Sequence, residues 1–140
     1  MFDFFRRRVQ KQAAREARAV AAVCAALHAR LIVELDESLE FALSEPDAGS
    51  DVAAMKTMAK RNGDHYLLNG TKIWITNATV ADVGIIFAYT DRSQKHSGMS
   101  AFHADLNQPG VSRRDLDKLG AHSSPTGELT LEDFRVPAEN

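Results

Sequence analysis

Two short stretches carry the residues best suited to gripping a small molecule. The first is Phe41-Ala42-Leu43, an apolar run ending in Ser44-Glu45, followed by a turn of Pro46, Asp47, Ala48, Gly49, Ser50 and Asp51. Gly49 permits backbone conformations other residues avoid. Successive amides in such a turn can form an anion-binding concavity, to which Ser50 adds a hydroxyl. Asp51 could equally cap a turn or helix, and a turn of this kind is more often only a turn. The second stretch is Trp74-Ile75-Thr76. Trp74 could offer its face to a planar ring, with Thr76 bonding a ring heteroatom. A lone Trp on a strand is as a rule a core residue, so context must decide. Ser44, at the end of another strand, could converge on the same ligand.

Other chemistries find no support. His28, His65, His96, His103 and His122 lack metal-ligand spacing. The single Cys24 excludes an internal disulfide framework and a multi-cysteine metal site, and a reducing compartment is the default. Asp115 with Asp117, and Glu132 with Asp133, read as solvated acids. Neither a G-x-G-x-x-G fingerprint, a P-loop nor a nucleophile elbow is present. The chain has 140 residues, 44% hydrophobic and 26% charged, with a net charge of −2. That is ordinary globular composition for about one domain, with no global pull toward nucleic acid and no stretch long enough to span a membrane.

The elements that must position these residues fall into two parts, 1–38 and 39–140. In the first, Ala13, Ala17, Val20, Ala21, Cys24, Leu27, Leu31 and Leu35 recur at helical spacing, with Arg15, Arg18 and Arg30 off the stripe. This predicts an amphipathic helix that docks on the following domain or a partner. A membrane-surface helix, with basic residues flanking Phe2, Phe4 and Phe5, and a cleaved targeting segment with Ala19–Ala29 as its core are the rival readings. From residue 40 short strands alternate with turns. His65–Leu68 and Thr71–Ile75 flank Asn69-Gly70, which predicts a hairpin. Val83–Thr90, Met99–Leu106, Val111–Lys118 and Gly127–Val136 read as further strands. The pattern predicts a mainly-β fold, a sandwich or barrel.

At the wording of SEPDAGSD (44–51), HYLLNGTKIWITNA (65–78), GMSAF (98–102) and LDKLGAHSSPTGELTLEDFRVPAEN (116–140), residues 41–140 resemble the middle domain of acyl-CoA dehydrogenases. A strand at Lys56-Thr57, Tyr89-Thr90-Asp91 and Pro109-Gly110-Val111 extend the match. The wording is closest to short- and branched-chain members such as the isovaleryl-CoA type. The resemblance implies a Greek-key β-barrel and FAD as cofactor. It places Phe41 to Ser50 along the flavin, Leu43 and Ser44 near its ring system, and Gly49 and Ser50 near cofactor phosphate. Ser50 would also touch the acyl-CoA thioester. Trp74 and Ile75 would pack on the ring, and Thr76 would bond it. Homo-oligomers, an electron-transfer flavoprotein and a bacterial cytoplasmic or mitochondrial matrix location follow from the same resemblance.

It also implies that the catalytic Glu lies in a C-terminal helical domain beyond this sequence. The 140 residues are therefore expected to be a fragment, inactive alone. A non-catalytic interaction module, or a piece of an acyl-CoA oxidase or flavin monooxygenase on the same scaffold, is the alternative. Two departures stand out. His122 occupies a position where many relatives carry Arg, which removes a permanent forked cation. Arg92–Ser97 has no clear match in relatives, so no role passes to it.

Overall fold

The computed structural model describes residues 39–139; the expected N-terminal helix lies outside the described residues. Seven strands make one sheet: β1 (Leu39–Ala42), β2 (Met58–Asn62), β3 (His65–Thr76), β4 (Val83–Tyr89), β5 (Met99–Asp105), β6 (Val111–Asp115) and β7 (Thr126–Pro137). The mainly-β expectation holds, and the sheet curls into a half-barrel. The order is β1-β4-β2-β3-β7-β6, with β5 antiparallel to β4 along its whole length. β1 pairs with Leu39–Ala42 parallel to Val83–Ile86, and β2 joins β4 at Met58 opposite Tyr89. β4 thus has neighbours on both edges, and every one of its residues is buried. That explains its continuous apolar run, since a strand buried on both faces has no reason to alternate.

The hairpin is not where Asn69-Gly70 predicted it. β3 runs unbroken through that dipeptide and pairs with β7 on both sides of it. The tight turn is Gly63-Asp64, closed by Asn62 opposite His65, with Gly63 at φ 66. The sequence offers two Asn-Gly dipeptides, and the second is used for close packing. A Cβ on Gly70 would lie 2.4 Å from the Thr57 hydroxyl and 2.8 Å from Thr57 Cα, and its φ is 152. Lys56-Thr57, expected as strand, is the connection leading into β2.

Two insertions set which side chains face inward. Along β3 the inward positions are Tyr66, Leu68, Gly70 and Lys72. An extra residue, Trp74, then separates the pairs Ile73–Glu128 and Ile75–Gly127, so Ile75 rather than Trp74 turns into the core. On β7, Gly127, Leu129 and Leu131 face in, Asp133 is the extra residue, and Phe134 and Val136 face in after it. Both extra residues have left-handed backbone, φ 62 at Trp74 and φ 47 at Asp133. The core gathers Leu68, Ile75, Ile86, Leu129, Leu131 and Phe134, packed around small alanines such as Ala42, Ala59 and Ala104. Tyr66 meets Phe102 edge-on at 5.1 Å, a contact worth about 1 kcal/mol beyond area burial.

Candidate functional site

Leaving β1, the chain passes Leu43 and Ser44, both half-buried, and closes a small turn. The Glu45 amide donates to the Ala48 carbonyl at 2.9 Å, and the Ala48 amide returns to the Glu45 carbonyl at 3.1 Å. Pro46 and Asp47 occupy the exposed corner, where Asp47 meets Lys56 at 2.5 Å. Both partners are solvated, so that pair adds little stability. Gly49 and Ser50 follow, exposed. Gly49 has open space at its Cβ position and no positive φ, so its expected conformational freedom is not used. Asp51 accepts from the Ala53 amide at 3.2 Å and caps the short 3-10 turn Val52–Ala54; its capping reading is the one the fold adopts.

What the sequence reading missed lies beneath this turn. Lys72 is completely buried, and its ammonium donates to Glu45 Oε1 at 2.8 Å and to the Leu43 carbonyl at 3.2 Å. Glu45 accepts further bonds from the Thr57 hydroxyl, the Thr57 amide (3.1 Å) and the Lys56 amide (2.6 Å). Burial alone would push the Glu45 carboxyl up, but the bonds from Lys72, Thr57 and Lys56 outweigh it and hold it below its ordinary value. For Lys72, burial pulls the ammonium down and the Glu45 carboxylate partly offsets this. One signal was available. Lys72 stands at an inward position of the period-two pattern, where a charge needs a buried partner.

The two ligand-gripping stretches meet at one place. The Ile73 amide donates to the Ser44 carbonyl at 2.9 Å, next to the Lys72–Leu43 bond. Ser44 is thereby set beside the residue that precedes Trp74. Trp74 is 62% exposed, so it is not the core residue that a lone strand Trp usually is. Thr76 is also exposed and ends β3 opposite Thr126. The hydroxyls of Ser44, Ser50 and Thr76 and the indole N–H make no hydrogen bond to any described residue. Ile75 differs: its side chain is 2% exposed and lies in the core, so the expected packing of that side chain on a ring is not what the fold presents. Phe41 is half-buried within β1, opposite Ile85. No bond links Gly49 or Ser50 to the Trp74 region. The loop bearing His122 borders this end of the sheet. It is pinned by Lys118 to the Ala121 and Ser124 carbonyls and the Thr126 hydroxyl, and it leads into β7 opposite Thr76. Among the described residues no group of His, Cys, Asp or Glu could hold a metal ion, and no helix is long and apolar enough to cross a membrane.

The fold defines the class as a curled, mainly-β domain, with Trp74 exposed beside the Ser44 segment and at the end of β3 that carries Thr76. A model of the acyl-CoA dehydrogenase middle domain matches residues 40–134. The chain is 54% identical over 101 residues to glutaryl-CoA dehydrogenase of Desulfococcus multivorans, covering 71% of this chain and 26% of that protein. It is 50% identical over 102 residues to the mitochondrial isovaleryl-CoA dehydrogenase of Pongo abelii, covering 71% and 24%. The solved structure of a glutaryl-CoA dehydrogenase from Mycobacterium smegmatis in complex with FADH2 superposes with a TM-score of 0.67 at 41% identity, covering 74% of this chain and 26% of that one. The chain belongs to the acyl-CoA dehydrogenase family and carries its middle domain. It spans about a quarter of the length of the curated relatives it matches.

Proposed function

We propose that residues 39–139 form one wall of an FAD and acyl-CoA thioester site in an α,β-dehydrogenating flavoenzyme. The observation that carries this is the junction of Leu43–Ser44 with Lys72–Ile73, which sets unpartnered hydroxyls beside an exposed, left-handed Trp74. FAD, when bound, would supply the acceptor for the two-electron oxidation. The residues of this chain bind and orient. Trp74 gives a flat apolar face, Thr76 and Ser44 offer hydroxyls to the polar edge of the ring, and Leu43 and Phe41 line the approach. Ile75 contributes through its main chain. Gly49 and Ser50 present amides and a hydroxyl to phosphate, and Ser50 also to the thioester.

The acids on this wall are committed elsewhere, Glu45 to Lys72 and Thr57, and Asp51 to its cap. In this reading, as the family resemblance implies, the base that takes the α-proton lies outside residues 39–139, and these residues alone bind without turnover. Homo-oligomers, an electron-transfer flavoprotein as electron acceptor, and a bacterial cytoplasmic or mitochondrial matrix location belong to the same reading.

The test is the visible spectrum of the purified chain after incubation with FAD and desalting. Retained yellow flavin, lost in the Trp74→Ala variant, is the expected result. A folded chain that emerges colourless overturns the preformed wall. Oxidation of any acyl-CoA by the 140 residues overturns the placement of the base.

A further inference from the structure

We propose that the buried Lys72–Glu45 pair is a positioning device that sets the geometry of the ligand wall, beyond any contribution to stability. The proposal rests on the flavin reading for its purpose, and on the bonds of this chain for its mechanism. Between the end of β1 and the turn at Glu45, Leu43 and Ser44 belong to no strand. Two bonds tie their carbonyls to β3, one from the Lys72 ammonium to Leu43 and one from the Ile73 amide to Ser44. Lys72 thus supplies half of what holds this segment on the strand that carries Trp74.

Glu45 makes the attachment three-way. Its Oε1 takes Lys72 and both Thr57 donors, while Oε2 takes the Lys56 amide. The segment after β1, the connection before β2 and the middle of β3 are locked at one carboxylate. Gly70 admits the third party: with no Cβ, it lets Thr57 lie directly on β3. Ser44 and Trp74 then have little freedom to move apart, although neither is held by its own side chain.

The attraction between the two charges does not by itself account for such a pair. Two charges taken from water lose hydration that their attraction only repays when every remaining bond is made, and apolar replacements of similar volume are often as stable. What an apolar pair cannot reproduce is direction. Lys72 reaches a carbonyl and a carboxylate at once, and the carboxylate orders two further segments.

The experiment uses the whole chain and the double variant Lys72→Met with Glu45→Leu. A single substitution would leave one buried charge unpaired and could simply unfold the protein. Trp74 is the only tryptophan in the sequence, so its fluorescence reports on the wall without any cofactor. The expected result is a retained circular dichroism spectrum with a lowered urea midpoint, since the Thr57 and Lys56 donors and the Leu43 carbonyl lose their partners, together with the acrylamide quenching constant of Trp74 altered about twofold and its anisotropy lowered in the folded protein. A folded double variant with wild-type quenching and anisotropy overturns the proposal, and one that unfolds overturns the claim that the pair acts beyond stability. An FAD titration runs in parallel. If wild type binds and the double variant binds at least tenfold more weakly, the device serves the cofactor. Equal FAD affinity in the two folded proteins overturns that purpose. If wild type itself does not bind FAD, the flavin reading fails, and the Trp74 readout still decides the positioning claim by itself.

Discussion

The two inserted residues of the sheet, Trp74 in β3 and Asp133 in β7, solve the same backbone problem in opposite ways. Each adds one residue to a paired strand and each adopts positive φ. Asp133 suits that conformation, since Asp is among the side chains that tolerate it. It is also tied down: its amide donates to Asn69 Oδ1 at 2.9 Å and its carboxylate accepts from Asn69 Nδ2 at 3.0 Å. Trp74 is a bulky residue in a conformation bulky residues avoid, with its ring largely exposed and its N–H without a partner among the described residues. The first insertion closes its own account of hydrogen bonds. The second leaves a strained, exposed aromatic with no hydrogen-bond partner among the described residues, the arrangement the proposed ligand wall calls for.

The largest expected effect sets the background for testing this contrast. Glu40 is buried beside β4, and desolvation pushes its carboxyl up to about 7, against a small opposing bond from the Phe41 main chain. The folded state keeps the proton between about pH 4.5 and 7 while the unfolded state has lost it. Stability therefore falls as pH rises through that window, by up to about 3 kcal/mol, and is flat above it. Urea midpoints across that range should show the slope, and Glu40→Gln should remove it; equal slopes in both proteins would refute the assignment. The two insertions are best compared above pH 7, where this background is level.

Next in size is Gly70→Ala, which places a methyl against Thr57 beside the Asp133 insertion, at a φ of 152. A loss of about 2–3 kcal/mol is expected by urea denaturation, from strain and clash together. A loss below 0.5 kcal/mol would mean Thr57 yields easily and the close approach is unimportant. Asn69→Ala should cost about 1–2 kcal/mol, the two bonds to Asp133, with FAD retention unchanged. Smallest in stability is Trp74→Asn, which keeps the tolerated φ and removes the ring. It should shift stability by no more than about 0.5 kcal/mol yet abolish flavin retention. If Trp74→Asn unfolds the chain, or Asn69→Ala loses flavin at full stability, the contrast between the two insertions is broken.

Much of the fold was legible because its apolar patterns are local. β4 and β5 could be read from VGIIFAYT and MSAFHADL, within a residue of their ends. The hairpin was misplaced because Asn-Gly marks a permissive backbone, and only Thr57, distant in sequence, decides that Gly70 is needed for contact rather than for a turn. Trp74 and Thr76 could be named from their types. Their exposure could not be read, since it depends on an insertion visible only against the register of β7. Lys72 and Glu45 were hidden for a related reason. Lys72 offered only its inward place in the period-two pattern, and Glu45 looks like a surface charge until Lys72 is placed opposite it across 27 positions of chain.

The solvent-facing ring of Trp74 also bears on how this domain can change over generations. Among the described residues that side chain makes no hydrogen bond and is mostly exposed, and its left-handed backbone is mildly opposed to it. A lineage released from its ligand would therefore lose the tryptophan without penalty, long before it lost Lys72 or Gly70. The order in which these positions drift would date the loss of binding separately from the decay of the scaffold.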